Sequence, residues 1–182
     1  MRTGRNSPSR PRRAPSVQLY RGAAVVCIDP GVGGTGLAFW SSWPHADAPA
    51  WAPDATEVVR PTYPRAPWLD RALSCGERAG IFISRYSPTH IIVEDQAVWT
   101  SAVGAASAGR GDVIRLAQLA GLILAHARIY GSLRTYLLPP REWKGQLPKA
   151  AVAARIRRAL GRAYPDHATD AVGMGLYLQG KL

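Results

Sequence analysis

The sequence predicts an α/β fold, a mixed five-stranded sheet flanked by helices. Two short, wholly apolar runs, AAVVCI at 23–28 and HIIV at 90–93, have the pattern of strands buried on both faces. Longer stretches with helical spacing alternate with the strand-like runs, as packed α/β layers require. Both apolar runs also stop on an acid, Asp29 and Glu94.

Taken in order, 23–28 is the first strand. The turn PGVGGT joins it to a second strand at 36–40, GLAFW. A Pro/Ala-rich stretch, SSWPHADAPAWAPDA, forms a long loop before a third strand over TEVVR at 56–60. Residues 67–86 carry a helical pattern in Leu69, Leu73, Ile81 and Ile83, weakened by Gly76 and Gly80. The fourth strand, 90–93, is followed by the small-residue loop TSAVGAASAGRG. Asp112 is placed to N-cap a long helix over 113–130. LRTYLL at 133–138 is a fifth strand, stopped by Pro139 and Pro140. Helices over about 148–162 and 168–178 complete the chain, and no internal repeat is present.

Composition bounds the function. A chain of 182 residues with 47% hydrophobic content builds one domain with a sizeable core. Its net charge of +11 suggests a polyanionic partner such as nucleic acid. Six arginines and no acid fall within residues 1–21, which read as a disordered basic arm ahead of a domain over 22–182. Two cysteines, Cys27 and Cys75, cannot form a disulfide framework, and no signal peptide is visible, so a cytoplasmic setting is expected. The most apolar long stretch, 113–129, contains Arg115, Gln118, His126 and Arg128, which argues against a membrane span.

Sites in open α/β sheets form at the carboxyl ends of strands. If the first and fourth strands are parallel neighbours, Asp29 and Glu94 converge. Two carboxylates so placed repel unless one is protonated or a cation joins them. YPDHATDAVGMG at 164–175 adds His167 and Asp170, three apart at a helix start and therefore on one face. An oxygen-rich cluster suits Mg²⁺ or Mn²⁺. Two such ions about 4 Å apart can clamp a phosphodiester, one generating hydroxide and the other steadying the leaving oxygen. Each residue singly has a plainer role: Asp29 before Pro-Gly suits a turn, Glu94 a solvated strand end, and His167 or Asp166 an N-cap. The repetition of an acid at a buried strand end favours the shared site.

The chain uses 20 arginines and only three lysines, and two of these, Lys144 and Lys149, lie ahead of the last helix. A compact ammonium can serve a single phosphate oxygen where a planar guanidinium fits less well. Arg141 beside them adds a phosphate contact. Trp99, with Arg110 at the far end of the 100–111 loop, could stack on an unpaired base or simply pack on the domain.

These motifs resemble those of RuvC-type Holliday junction resolvases. CIDPGVGGTGLAFW looks like the family's first strand, Asp-Pro-Gly turn and second strand. IIVEDQ is similar to its apolar strand ending on Glu, PREWKGQLPKAAV to its basic segment, and HATDAVGMGLYL to its C-terminal helix. The motifs run in family order over roughly 23–180. The resemblance implies a ribonuclease-H-like fold, a homodimer, and paired nicking of a four-way DNA junction with two Mg²⁺ or Mn²⁺ ions per site. Asp29, Glu94, His167 and Asp170 fall on the four metal positions, and Lys144 and Lys149 on the two basic ones. It further implies a bacterial or phage-infected cell and nucleoid association. The short spacing between the lysines and the long 42–55 loop suggest a divergent, phage-type member.

Three other readings compete. An RNase-H-like nuclease could act on a hybrid or flap. A sugar-kinase or actin-like ATPase would begin with a similar strand, Asp and Gly-rich turn, but needs two such domains. A non-catalytic junction-binding protein would leave the ordered carboxylates without a purpose.

Overall fold

The computed structural model describes residues 16–31, 33–45, 47–96, 111–131 and 133–182. Trp99 and Arg110 lie outside the described residues, as does most of the expected arm.

Five strands are present: β1 Val25–Asp29, β2 Thr35–Trp40, β3 Ala55–Val59, β4 His90–Glu94 and β5 Arg134–Leu138. They form one sheet in the order β3-β2-β1-β4-β5. β2 pairs antiparallel with both β1 and β3, whereas β4 runs parallel to both β1 and β5. The fold is therefore the expected mixed five-stranded α/β architecture. β1 and β4 are buried along their whole length because helices cover both faces of the sheet.

Residue parity sorts the two faces. Val26, Ile28, Leu37, Phe39, Ile91 and Val93 point to one side, where they pack with α1 (Trp68–Tyr86) and α2 (Asp112–Arg128). Val25, Cys27, Ala38, Trp40 and Ile92 point to the other. There they meet α3 (Pro140–Trp143), α4 (Lys149–Leu160) and α5 (Asp166–Leu178). The acids that end β1 and β4 share the parity of this second face.

Several expectations need correction. The buried stripe of α1 is Ala72, Cys75, Gly76, Ala79, Gly80, Phe82 and Ile83, while Leu69, Leu73 and Ile81 are exposed. The small residues face α2 because they permit close approach: a Cβ on Gly80 would stand 3.0 Å from His126 Cβ. Asp112 is not the N-cap of α2. That position is Gly111, in the left-handed region, and Asp112 is the first helical residue. There its charge still complements the helix dipole. The last helix begins at Asp166, two residues earlier than expected. Pro139 and Pro140 do stop β5, but Pro140 also opens the short α3 from its first position, where no N–H is needed.

Residues 16–21 pack against the domain. Val17 is buried in the α5-side core, and Glu142 Oε1 accepts hydrogen bonds from the Ser16 N–H and hydroxyl at 2.8 Å each. No helix among the described residues is long and apolar enough to cross a membrane.

Candidate active site

Parallel pairing brings the two strand-end acids together. The β1–β4 register runs to Ile28 opposite Val93, so Asp29 and Glu94 are the next pair along. Both carboxylates are buried. Asp95 has the opposite parity, and its N–H donates to the Leu138 carbonyl at 3.0 Å.

The glycines after Asp29 explain the turn that follows it. On β2, Gly36 stands opposite Asp29, and a Cβ there would lie 2.0 Å from the His167 carbonyl oxygen. At Gly31, a Cβ would lie 2.4 Å from His167 Cε1. Neither position tolerates a side chain, so the first turn of α5 settles directly over the strand ends. Further along α5, Gly173 and Gly175 admit the rings of Trp143 and Trp40 at similarly close range. The helix is thereby pinned to the sheet at both ends of its buried face.

This docking places His167 Nδ1 3.0 Å from Asp29 Oδ2. The hydrogen bond to Asp29 raises the imidazole pKa against the opposing effect of burial. Asp170, one helical turn on, is buried and reaches toward Glu94 through Lys144. Lys144 Nζ lies 2.8 Å from Glu94 Oε1 and 3.7 Å from Asp170 Oδ2. Burial works to lower the lysine's pKa, but the carboxylates of Glu94, Asp170 and Asp29 outweigh it and raise it. Burial, followed by the charge of Asp29, pushes Glu94 up to about 7 even with Lys144 beside it. Burial likewise raises Asp170 against the pull of Lys144 and Lys149. The cluster is thus short of positive charge: three acids crowd a site that a single ammonium does not neutralise.

Among the described residues, no three His, Cys, Asp or Glu side chains already stand arranged around one ion. They stand as a His167–Asp29 pair and a Glu94–Lys144–Asp170 bridge, with Asp29 acting on Glu94 between the two. The donor set nevertheless fits Mg²⁺ or Mn²⁺: carboxylates with one imidazole, a surplus of negative charge, and a cation-accepting position that Lys144 now fills.

Of the remaining expected residues, Lys149 sits at the rim, its ammonium 2.5 Å from Asp166 Oδ1 on the first turn of α5. Arg141 is exposed and, with Lys144 and Arg155, lines an adjoining open cavity of about 880 Å³. Sequence reasoning missed Trp143. Its indole N–H donates to Glu94 Oε1 at 3.1 Å, and Lys144 Nζ lies 4.7 Å from its ring centre. The only available signal was a large aromatic directly before the singular Lys144.

No protein-family model matches the chain, and no curated protein does so significantly. Solved structures do. The Thermus thermophilus RuvC structure is 23% identical with a TM-score of 0.62, over 87% of this chain and 97% of that one. T. thermophilus RuvC in complex with Holliday junction substrate is 25% identical with a TM-score of 0.61, over 85% and 90%. The yeast mitochondrial Holliday junction resolvase Ydc2 is 13% identical with a TM-score of 0.52, over 90% and 79%. The chain has the ribonuclease-H-like fold of the RuvC-type Holliday junction resolvases.

Proposed function

We propose that this chain is a structure-selective endodeoxyribonuclease that resolves four-way DNA junctions by paired, divalent-metal-dependent nicking. One observation carries the reading: Asp29 and Glu94 end neighbouring parallel strands on the face where α5 sets His167 and Asp170 over them. Asp29, Glu94, His167 and Asp170 would hold the two Mg²⁺ or Mn²⁺ ions. When bound, these supply a hydroxide nucleophile and stabilise the leaving oxygen.

The chain's own residues have definite tasks. Burial of Glu94 and Asp170 keeps solvent from screening their charges, so the one ammonium between them leaves room for a divalent ion. Lys144, on a flexible stem inside the cluster, offsets part of its charge until a metal ion arrives and is then free to turn to a phosphate oxygen. Lys149 and Arg141, at the rim, contact phosphates beside the cut. The arginines of 1–15 add phosphate contacts without sequence information.

Branched DNA as the partner is supported by the net charge of +11 and by the likeness to a RuvC bound to Holliday junction substrate. Paired nicking needs two sites related by a two-fold axis. The exposed apolar residues Leu69, Leu73 and Ile81 on α1 and Ile114 on α2 support a homodimer formed on that side of the sheet.

The deciding experiment is cleavage of a labelled four-way junction, with and without manganese, beside flap, hybrid and linear duplex substrates. Symmetric nicks in the junction alone support the proposal. Preference for a hybrid or flap points to a different RNase-H-like activity, and binding without cleavage in any metal to a non-catalytic junction protein. A monomer in sedimentation at micromolar concentration would exclude the paired mode while leaving the chemistry intact.

A further inference from the structure

We propose that Trp143 is a positioning residue for the metal site: its indole N–H fixes one oxygen of Glu94 so that the other is presented to a cation. The inference rests on the metal-dependent reading above and adds to it a residue outside the ligand set.

Two donors converge on the same atom. Trp143 Nε1 lies 3.1 Å from Glu94 Oε1, and Lys144 Nζ lies 2.8 Å from that oxygen. The donors differ in kind. Lys144 is charged and flexible and can leave when a cation or phosphate competes for it. Trp143 is neutral and fixed. Its side chain is 4% exposed and packs in the α5-side core. Gly173 makes the seat: a Cβ there would stand 2.6 Å from Trp143 Cζ3 and 3.5 Å from Ile156 Cδ1. The backbone is anchored independently of the Glu94 side chain. α3 follows β5 at once, and β5 is paired in register with β4, Glu94 opposite Leu138.

A buried indole N–H requires an acceptor, and a buried carboxylate requires donors on its oxygens. Each group satisfies the other. With Oε1 held from the rigid side, Oε2 is left for the ion, and the Glu94 carboxylate itself needs little ordering when the ion binds. The ring also lies 4.7 Å beneath the Lys144 ammonium, so the same side chain orients the displaceable cation by its π-face.

The test uses the full chain, Mn²⁺ alone as the probe, and Trp143→Phe, which keeps a ring against Gly173 but removes the donor. Calorimetric titration without DNA should show Mn²⁺ binding weakened roughly tenfold or more. The Mn²⁺ concentration for half-maximal junction cleavage should rise by a similar factor, with the plateau rate within a few-fold of wild type. Unchanged Mn²⁺ affinity with a lower melting temperature would overturn the proposal and make Trp143 a packing residue. Glu94→Gln separates this from the parent reading. If that variant binds Mn²⁺ as wild type does, the metal site itself is misassigned and the role of Trp143 falls with it. A measurement on the wild-type fold covers the case in which Trp143→Phe does not fold. The ¹⁵N-indole resonance of Trp143 should shift when Mg²⁺ is added and shift again in Glu94→Gln, and a resonance that moves in neither case overturns the contact.

Discussion

Replacing Glu94 by Gln should stabilise the metal-free protein at pH 8. Glu94 is 7% exposed, and its pKa is pushed from an ordinary 4.5 to about 7 by burial and by the neighbouring charge of Asp29. A carboxyl whose pKa is raised on folding holds its proton more tightly in the folded state. The folded protein is therefore favoured at acidic pH, and stability falls as pH rises from about 4.5 toward 7, then levels off. At about 1.4 kcal/mol per pH unit, that interval corresponds to a ceiling of roughly 3 kcal/mol. The substituted amide keeps the shape and an acceptor for the Trp143 N–H but loses the ion pair with Lys144, so a gain of about 1–2 kcal/mol is expected. For a chain of this size that is a rise in Tm of roughly 2–8 °C. The assay is thermal melting in EDTA from pH 5 to 8, followed by repetition in Mg²⁺. Wild type should melt lower at pH 8 than at pH 5, Glu94→Gln should flatten that slope, and Mg²⁺ should raise wild type more than the variant. A Glu94→Gln protein that melts lower than wild type at pH 8 in EDTA refutes the argument, because the carboxylate would then be a structural partner of Lys144 and Trp143.

Asp29→Asn should abolish cleavage by several orders of magnitude while junction binding in Ca²⁺ or EDTA persists; near-normal single-turnover cleavage would make Asp29 a turn residue. His167→Asp replaces imidazole with a harder ligand and should move the metal preference from manganese toward magnesium, measured as the ratio of rates at saturation. Deleting residues 1–15 removes five arginines and should flatten the slope of log affinity against log salt by up to about 4.5, at about 0.9 per phosphate contact; identical slopes mean that the arm does not touch DNA. Gly36→Ala sets a Cβ 2.0 Å from the His167 carbonyl and should lower Tm by lifting the first turn of α5. A loss of about 1–3 kcal/mol is the scale for such overpacking, checked by denaturant unfolding.

The two central strands were legible because strands buried on both faces announce themselves as short apolar runs, while β3 and β5, only partly buried, were legible from shorter apolar stretches between turns or prolines. The parallel placement of β1 beside β4 was legible only as a condition: a helix of crossover length stands between them, but sequence does not state which strands become neighbours. The helix α1 was legible, but of the apolar residues that carry its pattern only Ile83 is buried. Here the contact with α2 is close, so Ala and Gly line it and leucines lie outside. The short α3 was hidden because Pro-Pro reads as a stop, and a four-residue helix has no periodicity to detect.

The sequence by itself determined the candidate chemistry: an acid at the end of each of two buried strands, a His-x-x-Asp pair opening an apolar helix, and two scarce lysines nearby. Only the tertiary structure decided how these groups meet. It put Lys144 inside the carboxylate cluster and left Lys149 at the rim on Asp166. It aimed the Trp143 indole at Glu94 and assigned the glycines at 31, 36 and 173 to close approach. The physical reason is that a side chain's type sets which interactions it can make. Its partner is set by helix docking and strand register, and these depend on packing among residues far apart in the chain.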